Sequence, residues 1–189
     1  MPGRGKDIKI VIIPGQHDAV RVAEPQPQIN EKYGEALYKL DNVYLATNPC
    51  TVELRENDKS FKILMYHGAS FHANFIEAIE EIRLGGGHDT PAKSVKAALQ
   101  RRHLSPTHSA GVYLPSDEDS MFIREVPDIV LTGDLHKPEV DMFNNILIVC
   151  SSCWQSITPF EEKVGNHPDP GKVPVYNLKT REVKILDFG

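Results

Sequence analysis

Cysteine is scarce, with three in 189 residues. That is too few for a disulfide framework, so a reducing cytoplasm is the expected compartment. No apolar run approaches the ~20 residues that a bilayer span needs, and Met1 to Lys6 lacks the apolar stretch of a signal peptide. Neither sign of charge dominates: 21 Lys and Arg stand against 26 Asp and Glu, a formal net charge of −5. This excludes a protein that coats nucleic acid by charge alone, although a local basic patch or a metal ion would still recruit phosphate. Internal repeats, low-complexity segments and linkers are also missing. With 40% hydrophobic and 25% charged residues, the chain is neither a disordered tail, a collagen-like fibre nor a coiled coil. A soluble chain of this length buries roughly 70% of its unfolded surface around one core, so a single globular domain is expected.

What the sequence does contain is a set of short β-branched runs. Lys9-Ile10-Val11-Ile12-Ile13 reads as a strand buried on both faces, ending at the turn signal Pro14-Gly15. A polar loop, Glu24-Pro25-Gln26-Pro27, leads to a helix or turn around Glu31–Leu40 and short strands at Val43–Ala46 and Thr51–Leu54. Phe61–Tyr66, Asp128–Leu131 and Asn145–Val149 read as three further buried strands. Phe71, Phe75, Ile79 and Ile82 recur at helical spacing from Phe71 to Leu84, and Gly85-Gly86-Gly87 ends that helix. Pro91 opens a second one, with Val95, Ala98 and Leu99 inside and Lys93, Lys96 and Arg101 outside. A Ser/Pro-rich acidic loop runs from Ser105 to Ser120, and Val173–Asn177 with Val183–Leu186 reads as a terminal hairpin.

Three of these strands finish alike. Gln16-His17-Asp18, His67-Gly68 and Gly133-Asp134-Leu135-His136 each place an imidazole, carboxylate or amide beside a glycine just past a strand. Strand ends in an α/β sheet line up along one edge, so these side chains can converge on one site. Imidazole with carboxylate and amide oxygens suits Mn²⁺, Zn²⁺ or Fe²⁺, and the oxygen-rich set leans toward Mn²⁺.

The same residues carry a family resemblance. The block IPGQHDAVRVAEPQP resembles the "GNHD" block of calcineurin-like metallophosphoesterases, YHG their isolated histidine motif, and TGDLH a variant of their closing Gly-His-x-His motif. The proline-glutamine block, SCWQSITPFEEKVG and PDPGKVPVYNL are similar, more narrowly, to the small subunits of archaeal family D DNA polymerases. The resemblance covers essentially the whole chain. It implies an α/β fold, a calcineurin-like metallophosphoesterase sandwich of mixed β-sheets flanked by helices, with residues 1–189 forming the C-terminal part of one such domain. It further implies a two-metal 3′–5′ exonuclease that proofreads a DNA 3′ end beside a large catalytic polymerase subunit, with no membrane contact. The ions would be Mn²⁺, with Mg²⁺ as the alternative.

By matching position, the resemblance makes Gln16, His67, Asp134 and His136 metal ligands and His17 the catalytic group at the leaving oxygen. Asp18 would hold His17 in its tautomer. Gln16 stands in place of Asn, and Asp134 in place of His; both keep a ligand atom. The family's Asp-x-His and Gly-Asp-x-x-Asp motifs lie upstream of the first block. The resemblance therefore implies half a metal site in this chain, with the sheet's first strands absent and an unpaired edge. The competing reading is a catalytically inactive scaffold that docks the large subunit. Three imidazoles at strand ends favour the enzyme, since a scaffold has no physical need for them. A third reading, a phosphoesterase of small phosphodiesters, leaves the proline-glutamine and Trp-Gln-Ser blocks unexplained.

Other signals carry less. Cys150 and Cys153 have redox or half-zinc spacing but no second pair, and read as small side chains at a strand end. Gly85–His88 lacks the Lys-Ser/Thr of a phosphate loop and reads as a connector. Lys93, Lys96, Arg101 and Arg102 form a basic patch, either a solvated helix face or a DNA-backbone contact. Trp154 and Phe160 read as core or subunit-interface anchors rather than base-stacking platforms. His72, His88, His103, His108 and His167 have no partner that spacing reveals.

Overall fold

The β-branched run at the start does form a strand, but a short and uncovered one. In the computed structural model, which describes residues 8–164 and 166–189, β1 (Ile10–Ile12) pairs in parallel with β2 (Val43–Leu45) across α1 (Glu31–Tyr38). The Asn30 side chain caps α1 by accepting from Lys32 N at 2.9 Å. Ile10 is 42% exposed, so the expectation of a strand buried on both faces is corrected. Branched side chains are buried only where a layer covers them. The two-stranded sheet contains only β1 and β2.

The core lies around a five-stranded mixed sheet. It is built from β3 (Cys50–Glu56), β4 (Lys59–Tyr66), β5 (Ile129–Thr132), β6 (Glu139–Phe143) and β7 (Ile146–Cys150), in the order β3-β4-β5-β7-β6. β4, β5 and β7 are parallel and in register, with Tyr66 beside Thr132 and Thr132 beside Cys150. Their C-terminal ends therefore lie level. β3 and β6 are antiparallel edges.

One face of the sheet carries the helical layer. Tyr66, Val130 and Ile148 pack there with Phe71, Phe75, Val95, Ala98 and Leu99. Burying each Val, Leu, Ile or Phe among them contributes about 1.5–3 kcal/mol. The other face, with Ile129, Leu147 and Val149, meets Tyr176 and Val183 of the hairpin β8 (Lys172–Tyr176) and β9 (Val183–Asp187). The observed architecture is thus mixed α/β: one central mixed sheet, helices on one face and a hairpin on the other.

Two elements differ from expectation. Phe71–Leu84 is not one helix but a π-helical turn, His72–Glu77, followed by α2 (Glu80–Leu84), because Ile79 is extended at φ −113°, ψ 105°. The wider turn keeps Asn74, Phe75 and Ile76 buried in succession. Edge-to-face contacts of Phe71 with Tyr66 (5.1 Å) and Phe75 (5.5 Å) hold it there. A 3₁₀ turn at Gly87–Asp89 leads into α3 (Pro91–Arg101), which has the expected inner face. The second difference is β6, which the sequence reading missed. Asn144 and Asn145 have φ of 46° and 65°, the positive pair of a two-residue hairpin, so Asn145 is a turn residue rather than the start of β7. Among the described residues no helix is long and apolar enough to cross a membrane.

Candidate metal centre at the strand ends

His67 follows β4 directly and is held on three sides. Its N–H donates to Asn48 Oδ1 at 2.8 Å, its carbonyl accepts from Gly133 N at 2.8 Å, and its ring lies on Gly15. A Cβ at Gly15 would sit 2.3 Å from His67 Nε2, so only glycine allows this approach. Gly68, at φ +115°, brings the two turns together, since a Cβ there would meet Gly133 O at 3.0 Å.

Around His67 the structure gathers Gln16 and Asp134. Gln16 Nε2 donates to Asp134 Oδ1 at 2.7 Å, and His67 Nδ1 lies 3.7 Å from that oxygen. Gln16 Oε1 and His67 Nδ1 are buried without a hydrogen-bond partner. Two orphaned polar atoms beside a carboxylate are costly unless something binds them. Burial pushes the His67 imidazole below its usual value, as do the nearby His17 and His136, against the pull of Asp134 and Asp18. A neutral imidazole is the form that ligates metal.

The other anticipated residues stand further out. His17 and Asp18 are exposed, and His17 has no hydrogen bond among the described residues. The resemblance implied that Asp18 holds His17, and this is corrected. The Asp18 carboxylate instead accepts from Gly15 N at 2.8 Å and closes the turn, since a short carboxylate reaches the nearest free backbone N–H first. His136, at φ 55°, is hydrogen-bonded through Nδ1 to Glu161 Oε1 at 2.6 Å. Among the described residues no three His, Cys, Asp or Glu side chains come together as a metal-ligand cluster. What the chain assembles is one amide oxygen, one imidazole and one carboxylate.

Sequence reasoning missed two supports of the site. The first is a buried polar network made by the proline-glutamine block, whose polar side chains turn inward. Gln26 and Asn48 are fully buried, and Asn48 Nδ2 donates to Gln26 Oε1 at 2.6 Å. Beside them Glu24 accepts from Tyr66 OH at 2.8 Å and from Ser70 Oγ, which places the end of β4. Burial pushes the Glu24 carboxyl up, against the lowering from Ser70 and Tyr66. The second is Glu161, in α4 (Pro159–Val164). Its signal was present: Thr158-Pro-Phe-Glu161 is a capping-box pattern with Pro at the first helical position.

The signals set aside are absorbed by the fold. Burial pushes the Cys150 thiol up to about 12, and Cys153 Sγ–H donates to Gln155 O. Lys93 bonds Gly85 O, Lys96 bonds Asp141, and Arg102 bonds the carbonyls of Ile123 and Arg124. His72 bonds His88, His103 bonds Asp119, and His108 bonds Tyr113. The His167 carbonyl accepts from Lys137 Nζ. Trp154 is 77% exposed, which corrects a core role, while the Phe160 side chain lies outside the described residues.

Comparison with known proteins bears on the family of the chain. The model of the B-subunit family of DNA polymerases alpha and epsilon matches residues 3–141. The chain is similar to the DNA polymerase II small subunit of Pyrococcus horikoshii, 37% identical over 97% of this chain and 28% of that protein. The corresponding figures are 35%, 97% and 36% for Thermoplasma acidophilum, and 34%, 96% and 34% for Halobacterium salinarum. The chain thus spans only 28% to 36% of the length of these relatives.

Proposed function

The chain belongs to the B-subunit family of DNA polymerases alpha and epsilon, and on that premise we propose that it carries part of a metal-dependent 3′–5′ exonuclease centre in the small subunit of a family D DNA polymerase. The observation that carries the reading is the pair of orphaned buried ligand atoms, Gln16 Oε1 and His67 Nδ1, beside the Asp134 carboxylate. On this reading the fold is the C-terminal part of a calcineurin-like sandwich, and its partners are a DNA 3′ end and the large catalytic subunit.

Gln16, His67 and Asp134 fit Mn²⁺, a cation that accepts mixed oxygen and imidazole donors, with His136 next in line. A cation held there would supply Lewis-acid polarisation of the scissile phosphate and of an attacking water. The remaining tasks belong to the chain. Burial biases His67 toward its neutral form, and Asp134 orients Gln16 by accepting a hydrogen bond from its amide N–H. His17, exposed at the tip of a turn closed by Asp18, gives a proton to the departing 3′-oxygen as its bond to phosphorus breaks. Water supplies the hydroxyl that remains on the released 5′-nucleotide.

A scaffold role is the second reading, favoured by Trp154, 77% exposed beside Phe188 at 6.4 Å between ring centroids. The test is digestion of a 3′-mismatched primer–template with Mn²⁺. It uses the chain alone and joined to an upstream segment carrying the Asp-x-His and Gly-Asp-x-x-Asp motifs, each with and without His17→Ala. Nucleotide release that needs Mn²⁺ and disappears with His17→Ala is expected. No release in any combination, with no Mn²⁺ bound, leaves the scaffold.

A further inference from the structure

We propose that Glu161 is a positioning residue that fixes His136 in the tautomer protonated at Nδ1, leaving the Nε2 lone pair for a divalent cation. The inference rests on the metal reading given above, but its first readout does not.

Glu161 is 5% exposed, and its two carboxylate oxygens have separate tasks. Oε2 accepts from Thr158 N and Thr158 Oγ1, both at 2.9 Å, while Glu161 N donates to Thr158 Oγ1 at 3.2 Å. This reciprocal capping box pins the carboxylate to the start of α4. Oε1 is then aimed at one atom, His136 Nδ1, at 2.6 Å. An ionised carboxylate only accepts, so the ring nitrogen facing it must carry the proton. His136 cannot easily turn away. Its backbone is held at φ 55°, and its carbonyl accepts from Asp169 N at 3.0 Å. A carboxylate behind a ligating imidazole is the usual outer partner of a metal-bound histidine, and its loss typically weakens metal binding 10–100-fold.

The alternative is that Glu161 only caps α4. In that case the His136 tautomer would not depend on it. The test uses the whole chain with ¹⁵N-labelled histidine, free of metal, at mildly alkaline pH. Long-range ¹H–¹⁵N spectra should show His136 with its proton on Nδ1 in the wild type. Glu161→Gln should keep that tautomer, because its amide oxygen can still accept, and Glu161→Ala should lose it. Thr158→Ala removes only the two hydroxyl bonds and keeps Thr158 N donating to Oε2, so it should leave the carboxylate facing His136 and the tautomer unchanged. In a second step, titration with Mn²⁺ should show binding weakened at least tenfold in Glu161→Ala and less in Glu161→Gln. An unchanged His136 tautomer in folded Glu161→Ala overturns the assignment to Glu161. A tautomer that responds while the wild type binds no Mn²⁺ overturns instead the metal reading beneath it.

Discussion

Asn48 offers the sharpest test of how the site is held. Its side chain is completely buried and joins two segments, donating from Nδ2 to Gln26 Oε1 at 2.6 Å and accepting His67 N–H at 2.8 Å. Asn48→Ala removes both bonds and leaves Gln26 Oε1 and His67 N–H without these partners. Each unpaired buried group costs about 1–3 kcal/mol, so the expected loss for the two is about 2–6 kcal/mol. That is a large part of the about 5–15 kcal/mol that holds a domain together. In a chain of this length it lowers the melting temperature by roughly 4–24 °C. Urea unfolding should show the midpoint falling with an unchanged slope. Gln26→Ala should couple to it, the double variant losing less than the sum by about 0.5–3 kcal/mol. A loss under about 1 kcal/mol, or strict additivity, would refute the view that the proline-glutamine block is a buried clamp on His67.

Other perturbations separate neighbouring claims. Gly15→Ala should cost about 1–3 kcal/mol and shift the His67 ring resonances, because the new Cβ would lie 2.3 Å from Nε2; a neutral change would mean that the ring is not held on Gly15. Burial holds the Glu24 carboxyl above its ordinary value, outweighing its bonds to Ser70 and Tyr66, so the folded state keeps a proton that the unfolded chain has released. Its contribution is therefore full below the ordinary carboxyl value and declines as pH rises toward the raised one. Relative to Glu24→Gln, wild-type stability should fall across that window by up to ~1.4 kcal/mol per pH unit, and a flat difference would contradict it. Trp154, the sole tryptophan, should emit like a solvent-exposed indole and be quenched by iodide, and Trp154→Ala should change stability by less than about 0.5 kcal/mol. A blue-shifted, unquenched emission would return Trp154 to the core.

The parts legible in the sequence are those fixed by local pattern. β5, α3 and the terminal hairpin follow from β-branched runs, Pro91 at a helix start and alternation around Lys179-Thr180-Arg181. The convergence of His67 and Asp134 was legible too, because the ends of parallel β4 and β5 line up; Gln16 follows β1 in a separate strand pair and meets them through its bond to Asp134. Tertiary context decided the rest. Ile10 looks buried by composition but lies exposed in a two-stranded pair. Helical spacing over Phe71–Leu84 gave no sign of the extended Ile79. β6 was obscured because Val140, Met142 and Phe143 alternate poorly, though Asn144-Asn145 marked the turn. Nothing local says that Glu24, Gln26 and Asn48 are buried, since polar residues flanked by proline normally face water.

The site's order, finally, is concentrated in one residue. His67 is fixed at its amide by Asn48, at its carbonyl by Gly133 and at its ring by Gly15, and these come from three separate segments. The level register of Tyr66 and Thr132 makes the Gly133 bond unavoidable once β4 and β5 pair. Because these anchors form during folding, His67 Nδ1 and Gln16 Oε1 stand ready beside Asp134 without any ligand to arrange them. Binding then need not order the side chains, which is the physical meaning of preorganisation. His17 is the opposite case, exposed at a turn tip with no hydrogen bond among the described residues. On the proposed reading, that division suits a centre in which the ligands hold still while the proton donor reaches a substrate oxygen.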